Sequence, residues 1–240
     1  MQGKRWCAMS ESLAAPSRTA PRRRLVPRAR ALPADVSHGV VLNNIPWKIY
    51  RMMVKAFNGR NVYLTYDRGA LEIMTKSGMH EGGKKLLARL LELLSLEWDV
   101  PIAGFGEMTW SREDLECGLE PDECYYVKNE PQMGRATNPD PRRDPSPDLV
   151  IEIEFSRRLL NRQSILAAMG VPELWCFDGR TLRFLVLDKS GRYERHDESI
   201  SFPGLRSSDI ERFLLLRGKK SEHEIVRAFR DWARAKRPQS

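Results

Sequence analysis

The clearest hydrophobic pattern in the chain is a leucine stripe over residues 80–97. Apolar residues recur there at spacings of three and four, and most positions between them are charged, as in an amphipathic helix. Weaker patterns with start and stop residues predict four more helices, at residues 46–57, 161–169, 209–216 and 222–236. The chain therefore combines one long helix with several short ones.

Runs of β-branched and aromatic residues predict the strands between these helices. Residues 62–66 and 70–74 flank the turn Asp67-Arg68-Gly69 and predict a hairpin. Residues 129–147 hold five prolines and predict a long loop. Further strands are predicted at 101–105 with 107–110, as a strand or hairpin pair, and at 122–127, 149–155, 174–177, 182–187 and 192–195. This order predicts an α/β domain with a mixed sheet flanked by helices.

Charge divides the chain into three parts. The net charge is +8, and residues 1–40 hold eight basic and two acidic side chains without a hydrophobic period, which predicts a disordered basic extension. Residues 206–240 hold ten basic and five acidic side chains and predict a helical appendage packed on the domain or on a homodimer partner. The body, 41–205, is therefore slightly acidic, which suits a carboxylate-rich metal site better than a basic DNA-binding face.

The lengths of the apolar runs and the spacing of the cysteines indicate in which cellular compartment the protein is expected. No window approaches the ~18 consecutive apolar residues of a membrane span, so no membrane partner is expected. The cysteines form no CxxC pair and no secretory signal is evident, which predicts reduced thiols in a cytoplasmic protein. They are Cys7, Cys117, Cys124 and Cys176.

The chemistry concentrates in residues 147–156, PDLVIEIEFS. In a strand, Asp148, Val150, Glu152 and Glu154 share one face, and the other face carries Leu149, Ile151, Ile153 and Phe155. Neighbouring buried carboxylates repel each other, and a divalent cation such as Mg²⁺ is the usual remedy. A half-exposed edge strand with a solvated acidic face has the same alternation, and the pattern alone does not separate the two.

Residues on either side of this strand favour the cation site. Asp122 lies at the start of another predicted strand, and Arg157, Arg158 and Arg162 follow the acidic strand with side chains suited to phosphate. An acid, a second acidic strand and then a cation are the parts that metal-assisted phosphodiester hydrolysis needs. The metal polarises the phosphate and lowers the pKa of the attacking water.

Four segments, in this order, resemble the Uma-two family of endonucleases, a branch of the PD-(D/E)XK restriction-endonuclease-like superfamily. The segments are LEIMTKSGMHE (71–81), GLEPDECYYV (118–127), PDLVIEIEFSRR (147–158) and GVPELWCFDG (170–179). The resemblance extends over about 45–237. It implies a restriction-endonuclease-like mixed sheet flanked by helices over 41–205, an Mg²⁺ or Mn²⁺ cofactor, and nucleic acid as substrate. DNA is the expected substrate, although the sequence also leaves RNA open.

The resemblance assigns roles to the acidic residues. Asp122 matches the first acid and Glu152 the acid of the (D/E)XK element, so both are expected to hold the metal, with Asp148 as a further ligand. Asp148 could instead be a turn acid that caps the loop. Glu154 stands at the usual lysine position and is expected to assist catalysis. Arg162 is the candidate for the displaced cation, and it would stabilise charge because arginine stays protonated.

Other residues complete the expected site. His80 opens the long helix where the family often has histidine, and it is a catalytic candidate or a structural helix-start residue. Glu72 lines the site or faces solvent, and it is grouped with Arg157 and Arg158 as substrate-binding. The absence of lysine at Glu154 supports an alternative function, a catalytically inactive nuclease fold that binds nucleic acid or acts as a scaffold.

Overall fold

A computed structural model describes residues 39–75, 78–155 and 158–238, and these form eleven strands and six helices. Residues 1–38 of the expected disordered extension, with Cys7, and Arg157 lie outside the described residues. The expected boundary at residue 40 is wrong, because Gly39 and Val40 begin β1. The strands are β1 (Gly39–Leu42), β2 (Val62–Asp67), β3 (Ala70–Thr75), β4 (Ala103–Gly104), β5 (Trp110–Arg112), β6 (Cys117–Leu119), β7 (Glu123–Tyr126), β8 (Leu149–Ile153), β9 (Glu173–Phe177), β10 (Leu182–Leu187) and β11 (Tyr193–His196). The helices are α1 (Trp47–Phe57), α2 (Gly78–Trp98), α3 (Glu130–Met133), α4 (Arg162–Ala168), α5 (Ser207–Leu214) and α6 (Glu222–Ala235).

These strands form two sheets. The first has five strands in the order β1-β3-β2-β6-β5, and all its pairs are antiparallel. The second has six strands in the order β11-β10-β9-β8-β7-β4, and it is mixed because β8 and β9 run parallel. The parallel pair needs a crossover, which α4 provides between the two strands. The expected fold class, α/β with a mixed sheet and flanking helices, is confirmed.

The leucine stripe of α2 packs on the second sheet. Leu87, Leu90 and Leu94 are fully buried in one apolar cluster with Ile151 and Trp175. Residues of α5 and α6 belong to the same cluster, and Trp98 at the end of α2 donates from Nε1 to the carbonyl of Ala233, 3.0 Å away. Within the described residues, no helix combines the length and apolar character that crossing a membrane requires.

Strand β8 lies in the middle of the second sheet, between β7 and β9. Ile151 and Ile153 face the α2 cluster, whereas Val150 packs in a second cluster with Ile165 of α4. The predicted alternation is therefore confirmed. The alternative of a solvated edge strand is wrong, because β8 has neighbours on both sides and Glu152 is only 4% exposed.

The predicted pairing of 101–105 with 107–110 is also wrong. β4 pairs with β7 in the second sheet, while β5 pairs with β6 in the first, so the chain changes sheets between them. Strand β6 was not predicted from the sequence pattern. Strands of two or three residues are too short to show an alternating pattern, and their pairing depends on the tertiary fold.

Candidate active site

Side chains from both sheets meet around Arg162, the first residue of α4. Its Nη1 donates to Oγ1 of Thr65 on β2, 2.9 Å away, and its Nη2 donates to the carbonyl of Glu120, 2.6 Å away. The same guanidinium contacts Glu152 on β8. Arg162 is 5% exposed, so it is a buried cation that ties the first sheet to the second.

The contact between Arg162 and Glu152 is bidentate. Nε donates to Oε2 over 3.0 Å and Nη2 donates to Oε1 over 2.6 Å. Burial raises the pKa of Glu152, and the hydrogen bonds and charge of Arg162 oppose that rise. For Arg162, burial alone would lower the pKa, but the charge of Glu152 outweighs it and the pKa is raised. The pair therefore carries little net charge despite its depth.

Asp122 stands directly before β7 and is completely buried. Glu123 pairs with Ile151, so the antiparallel register places Asp122 opposite Glu152. Oδ2 of Asp122 accepts a hydrogen bond from the amide of Ile153, 2.7 Å away, and lies 3.1 Å from Nε2 of His80. Burial would raise the pKa of Asp122, but the hydrogen bond and charge of His80, with two nearby arginines, lower it to about 2.

His80 lies between two acids near the start of α2. Its Nε2 faces Asp122, and its Nδ1 is 4.0 Å from Oε1 of Glu81. The ring is 5% exposed and lies 5.7 Å from the ring of Tyr63. The pKa of the Tyr63 phenol is raised by burial and by the negative charge of Asp122. Nε2 of His80 thus lies within hydrogen-bond distance of the buried Asp122 carboxylate.

Glu72 extends the acidic group from β3. It is 1% exposed, and its Oε1 accepts a hydrogen bond from the amide of Leu159 over 2.5 Å. The alternative that Glu72 faces solvent is therefore wrong. Its charge is one of those that raise the pKa of Arg162, which places it beside the same guanidinium as Glu152.

Glu152 and Glu154 border a cavity of about 360 Å³, here called the carboxylate cavity, and Arg158 and Arg162 also line it. Arg158 is partly buried, and its guanidinium lies 5.0 Å from the ring centre of Tyr63. Glu154 forms an ion pair of 2.5 Å with Arg183 of β10. The structure thus brings Arg158 and Glu154 to the same opening as Glu152.

Asp148 lies away from this group, at the other end of β8. Its Oδ2 accepts hydrogen bonds from the amides of Val127 and Asn129, both at 2.8 Å, and its Oδ1 accepts one from Nδ2 of Asn129 at 2.7 Å. Asp148 precedes Glu152 by four positions, a distance of about 13 Å along an extended chain. These contacts favour the loop-capping role for Asp148 over the role of metal ligand.

Sequence reasoning missed Lys84 and Glu107. Lys84 is 6% exposed, and its Nζ contacts Glu107 and lies 3.3 Å from Oε2 of Glu81. Lys84 is one helical turn beyond His80, so the spacing of four residues already placed the two on one face of α2. Glu107 lies in an irregular segment, and nothing in the sequence marked it.

The oxygen atoms of the site fit a hard divalent cation. Oδ1 of Asp122 and Oε2 of Glu72 are buried without a hydrogen-bond partner in the described part of the chain. Each oxygen of Glu152 accepts from Arg162 and retains a further lone pair. Within the described ranges, no group of three or more acid, histidine or cysteine side chains could hold a metal ion by itself. Water would therefore complete the coordination, as is common for Mg²⁺.

The mixed sheet and the opposed acids on neighbouring strands define a protein of the restriction-endonuclease-like class. The sequence model of the Uma2 family, described as "Putative restriction endonuclease", matches residues 49–214. The match covers more than half of the chain, so the protein belongs to this family, and the predicted resemblance is confirmed.

Among solved structures, the chain is similar to a protein described as a "putative nuclease belonging to DUF820" from Anabaena variabilis ATCC 29413, at 13% identity. That similarity covers 69% of this chain and 90% of the other, with a TM-score of 0.42. The search of curated proteins found no match to the chain.

Proposed function

We propose that the protein is a cytoplasmic, metal-dependent endonuclease that hydrolyses phosphodiester bonds in DNA. The family match supports a nuclease. The observation that carries the proposal is the pair of buried acids, Asp122 and Glu152, opposed on neighbouring strands beside two arginines. Acids of this kind next to Arg158 and Arg162 suit a phosphate group bridged to a metal ion.

Asp122 and Glu152 would hold the ion. When bound, Mg²⁺ or Mn²⁺ supplies Lewis-acid polarisation of the phosphate and a bound water of lowered pKa. Asp122 remains ionised at any physiological pH because His80 and the nearby arginines keep its pKa at about 2. Arg162 stays protonated, and its positive charge balances the negative charge of Glu152. This pairing offsets the cost of burying the carboxylate in the site.

His80 acts as a positioning residue in this proposal. With a proton on Nε2, the ring donates to Oδ2 of Asp122, and this contact fixes the direction of the carboxylate. Arg158, at the opening of the carboxylate cavity, has the accessible guanidinium that can bind a phosphate oxygen. The chain would thus supply an oriented acid and a cation at the same site.

Nicking of supercoiled plasmid in Mn²⁺ tests the proposal. Wild-type protein is expected to convert the plasmid to open circles, EDTA to prevent this, and Glu152→Gln to reduce the rate at least a hundredfold, on the order of one lost metal ligand. Glu198→Gln is the matched control, because Glu198 is an exposed acid paired with Arg206 outside the cavity. Equal nicking by wild type and Glu152→Gln would exclude the site. Cleavage of labelled RNA alone would exclude DNA as the substrate.

A second function, a catalytically inactive nuclease fold that binds nucleic acid, is favoured by one observation. Both oxygens of Glu152 already accept hydrogen bonds from Arg162, and the acid at the lysine position, Glu154, is paired with Arg183. Retention of labelled DNA without Mn²⁺-dependent nicking would support this function and exclude the first.

A further inference from the structure

Phe155, the second residue after β8, stands between two cavities. Its ring fits a slot between two glycines, because a Cβ at Gly83 would lie 3.0 Å from its Cζ and a Cβ at Gly179 would lie 2.6 Å from its Cε1. The ring is 6.0 Å from that of Phe177 and 6.4 Å from that of His80. Phe155 is partly exposed and lines the carboxylate cavity on one side.

On its other side Phe155 lines a second cavity of about 400 Å³, here called the arginine cavity. Its apolar lining comes from Phe155, Phe177, Leu214 and Leu215. Its charged lining is two cations, Arg180 and Arg217, and one acid, Asp178. Both arginines are exposed. An aromatic ring and apolar side chains facing two guanidinium groups match the parts of a nucleotide, a flat base and a phosphate.

Contacts within the chain hold both arginines of the arginine cavity in place. The amides of Arg180 and Thr181 donate to Oδ1 of Asp178, over 2.9 and 2.8 Å, and this holds the turn that carries Arg180. Arg217 reaches the start of α2, where a Cβ at Gly82 would lie 1.8 Å from its Nη2. The Arg217 side chain therefore lies against the end of α2 that carries His80.

We propose that the arginine cavity holds an unpaired nucleotide next to the phosphate that is cut. Its base lies against Phe155 and its phosphate contacts Arg180 and Arg217. The proposal rests on the proposed nuclease function and adds a preference to it, for strands with an unpaired nucleotide beside the cleavage point. A cavity of about 400 Å³ is within the range of small-ligand sites.

Binding measured without cleavage tests this site. Fluorescence anisotropy of a labelled oligonucleotide in EDTA should show binding to a duplex with a single-stranded overhang at least tenfold tighter than binding to the same duplex with blunt ends. Arg180→Gln and Arg217→Gln should each weaken overhang binding by about three- to tenfold and lower its salt slope by about one. Phe155→Leu keeps an apolar side chain in the slot and should weaken binding about tenfold through lost stacking.

Arg195→Gln is the matched control, since Arg195 is an exposed arginine on the edge strand β11 and lies outside the lining of the arginine cavity. It should bind like wild type. Overhang binding by Arg180→Gln, Arg217→Gln and Phe155→Leu at the level of Arg195→Gln would overturn the proposal, as would equal affinity of wild type for blunt and overhanging duplexes.

The two proposals fail in different ways. If wild type does not nick plasmid but overhang binding depends on Arg180 and Arg217, the nucleotide site stands and the catalytic function falls. If wild type nicks plasmid and overhang binding ignores both substitutions, the catalytic function stands and the nucleotide site falls. If wild type binds neither duplex, the nucleotide site is excluded.

Discussion

Arg162 binds both carboxylate oxygens of Glu152 in a pair whose side chains are each 5% exposed. The same guanidinium contacts Thr65 on the other sheet. One arginine therefore neutralises an acid of the expected metal site and also joins the two sheets. Loss of the arginine should reduce stability as well as alter the site.

Replacement of Arg162 by glutamine should destabilise the protein by about 3–5 kcal/mol, because it leaves the charge of Glu152 buried without a partner. The double variant Glu152→Gln with Arg162→Gln should recover part of that loss. Urea unfolding followed by circular dichroism measures both. Arg183→Gln is the control, since its partly exposed pair with Glu154 should contribute less than about 1 kcal/mol. Similar losses for Arg162→Gln and Arg183→Gln would contradict the account.

His80 should control the acid sensitivity of the protein through Asp122. The pKa of Asp122 is about 2 in the folded state against an ordinary value of 3.8. Its contribution to stability is therefore present above pH 3.8 and is lost as the pH falls towards 2. His80→Gln raises the folded pKa, so the variant should be less stable than wild type at pH 5, and this difference should shrink at pH 3. A difference in unfolding free energy that is the same at both pH values would show that His80 acts through packing alone.

The slot for Phe155 should make Gly179 intolerant of a side chain. Gly179 and Gly191 both have positive φ, at 89° and 78°, but nothing lies within 4 Å of a Cβ at Gly191. Gly191→Ala should therefore show the backbone strain alone, about 1–2 kcal/mol. Gly179→Ala should lower the free energy of unfolding by a further ~1–3 kcal/mol, which is on the order of the cost of overpacking a core position. Thermal unfolding of the pair gives the difference directly, and equal losses would mean that the Phe155 ring adjusts without cost.

Sequence periodicity was sufficient to predict a helix or strand where the element is long or buries one regular face. It predicted α2 and the alternating faces of β8, but the opposition of Asp122 and Glu152 depends on the pairing of β7 with β8, which periodicity does not give. It failed between residues 101 and 119, where strands of two or three residues belong to different sheets. Periodicity also could not show that Arg162 donates hydrogen bonds to both carboxylate oxygens of Glu152. That contact depends on how α4 lies against both sheets.

The buried thiols should resist alkylation in the folded protein. Burial raises the pKa of Cys117 to about 11 and of Cys124 to about 12, and it raises that of Cys176 well above its ordinary value. The thiolate is the reactive form, so iodoacetamide at pH 8 should leave all three unmodified until urea is added. Peptide mass mapping identifies the labelled sites. Rapid labelling of Cys176 in the folded protein would show that the carboxylate cavity opens as far as the strand beside Glu152.

Titration calorimetry with Mn²⁺ is the most direct test of whether the opposed acids form a metal site. Wild type and Asp148→Asn should both bind Mn²⁺, because Asp148 is engaged by Val127 and Asn129 at the far end of β8. Asp122→Asn should lose at least tenfold in affinity, with its fold checked by circular dichroism. Equal Mn²⁺ binding by wild type and Asp122→Asn, or no binding by wild type, would contradict the account.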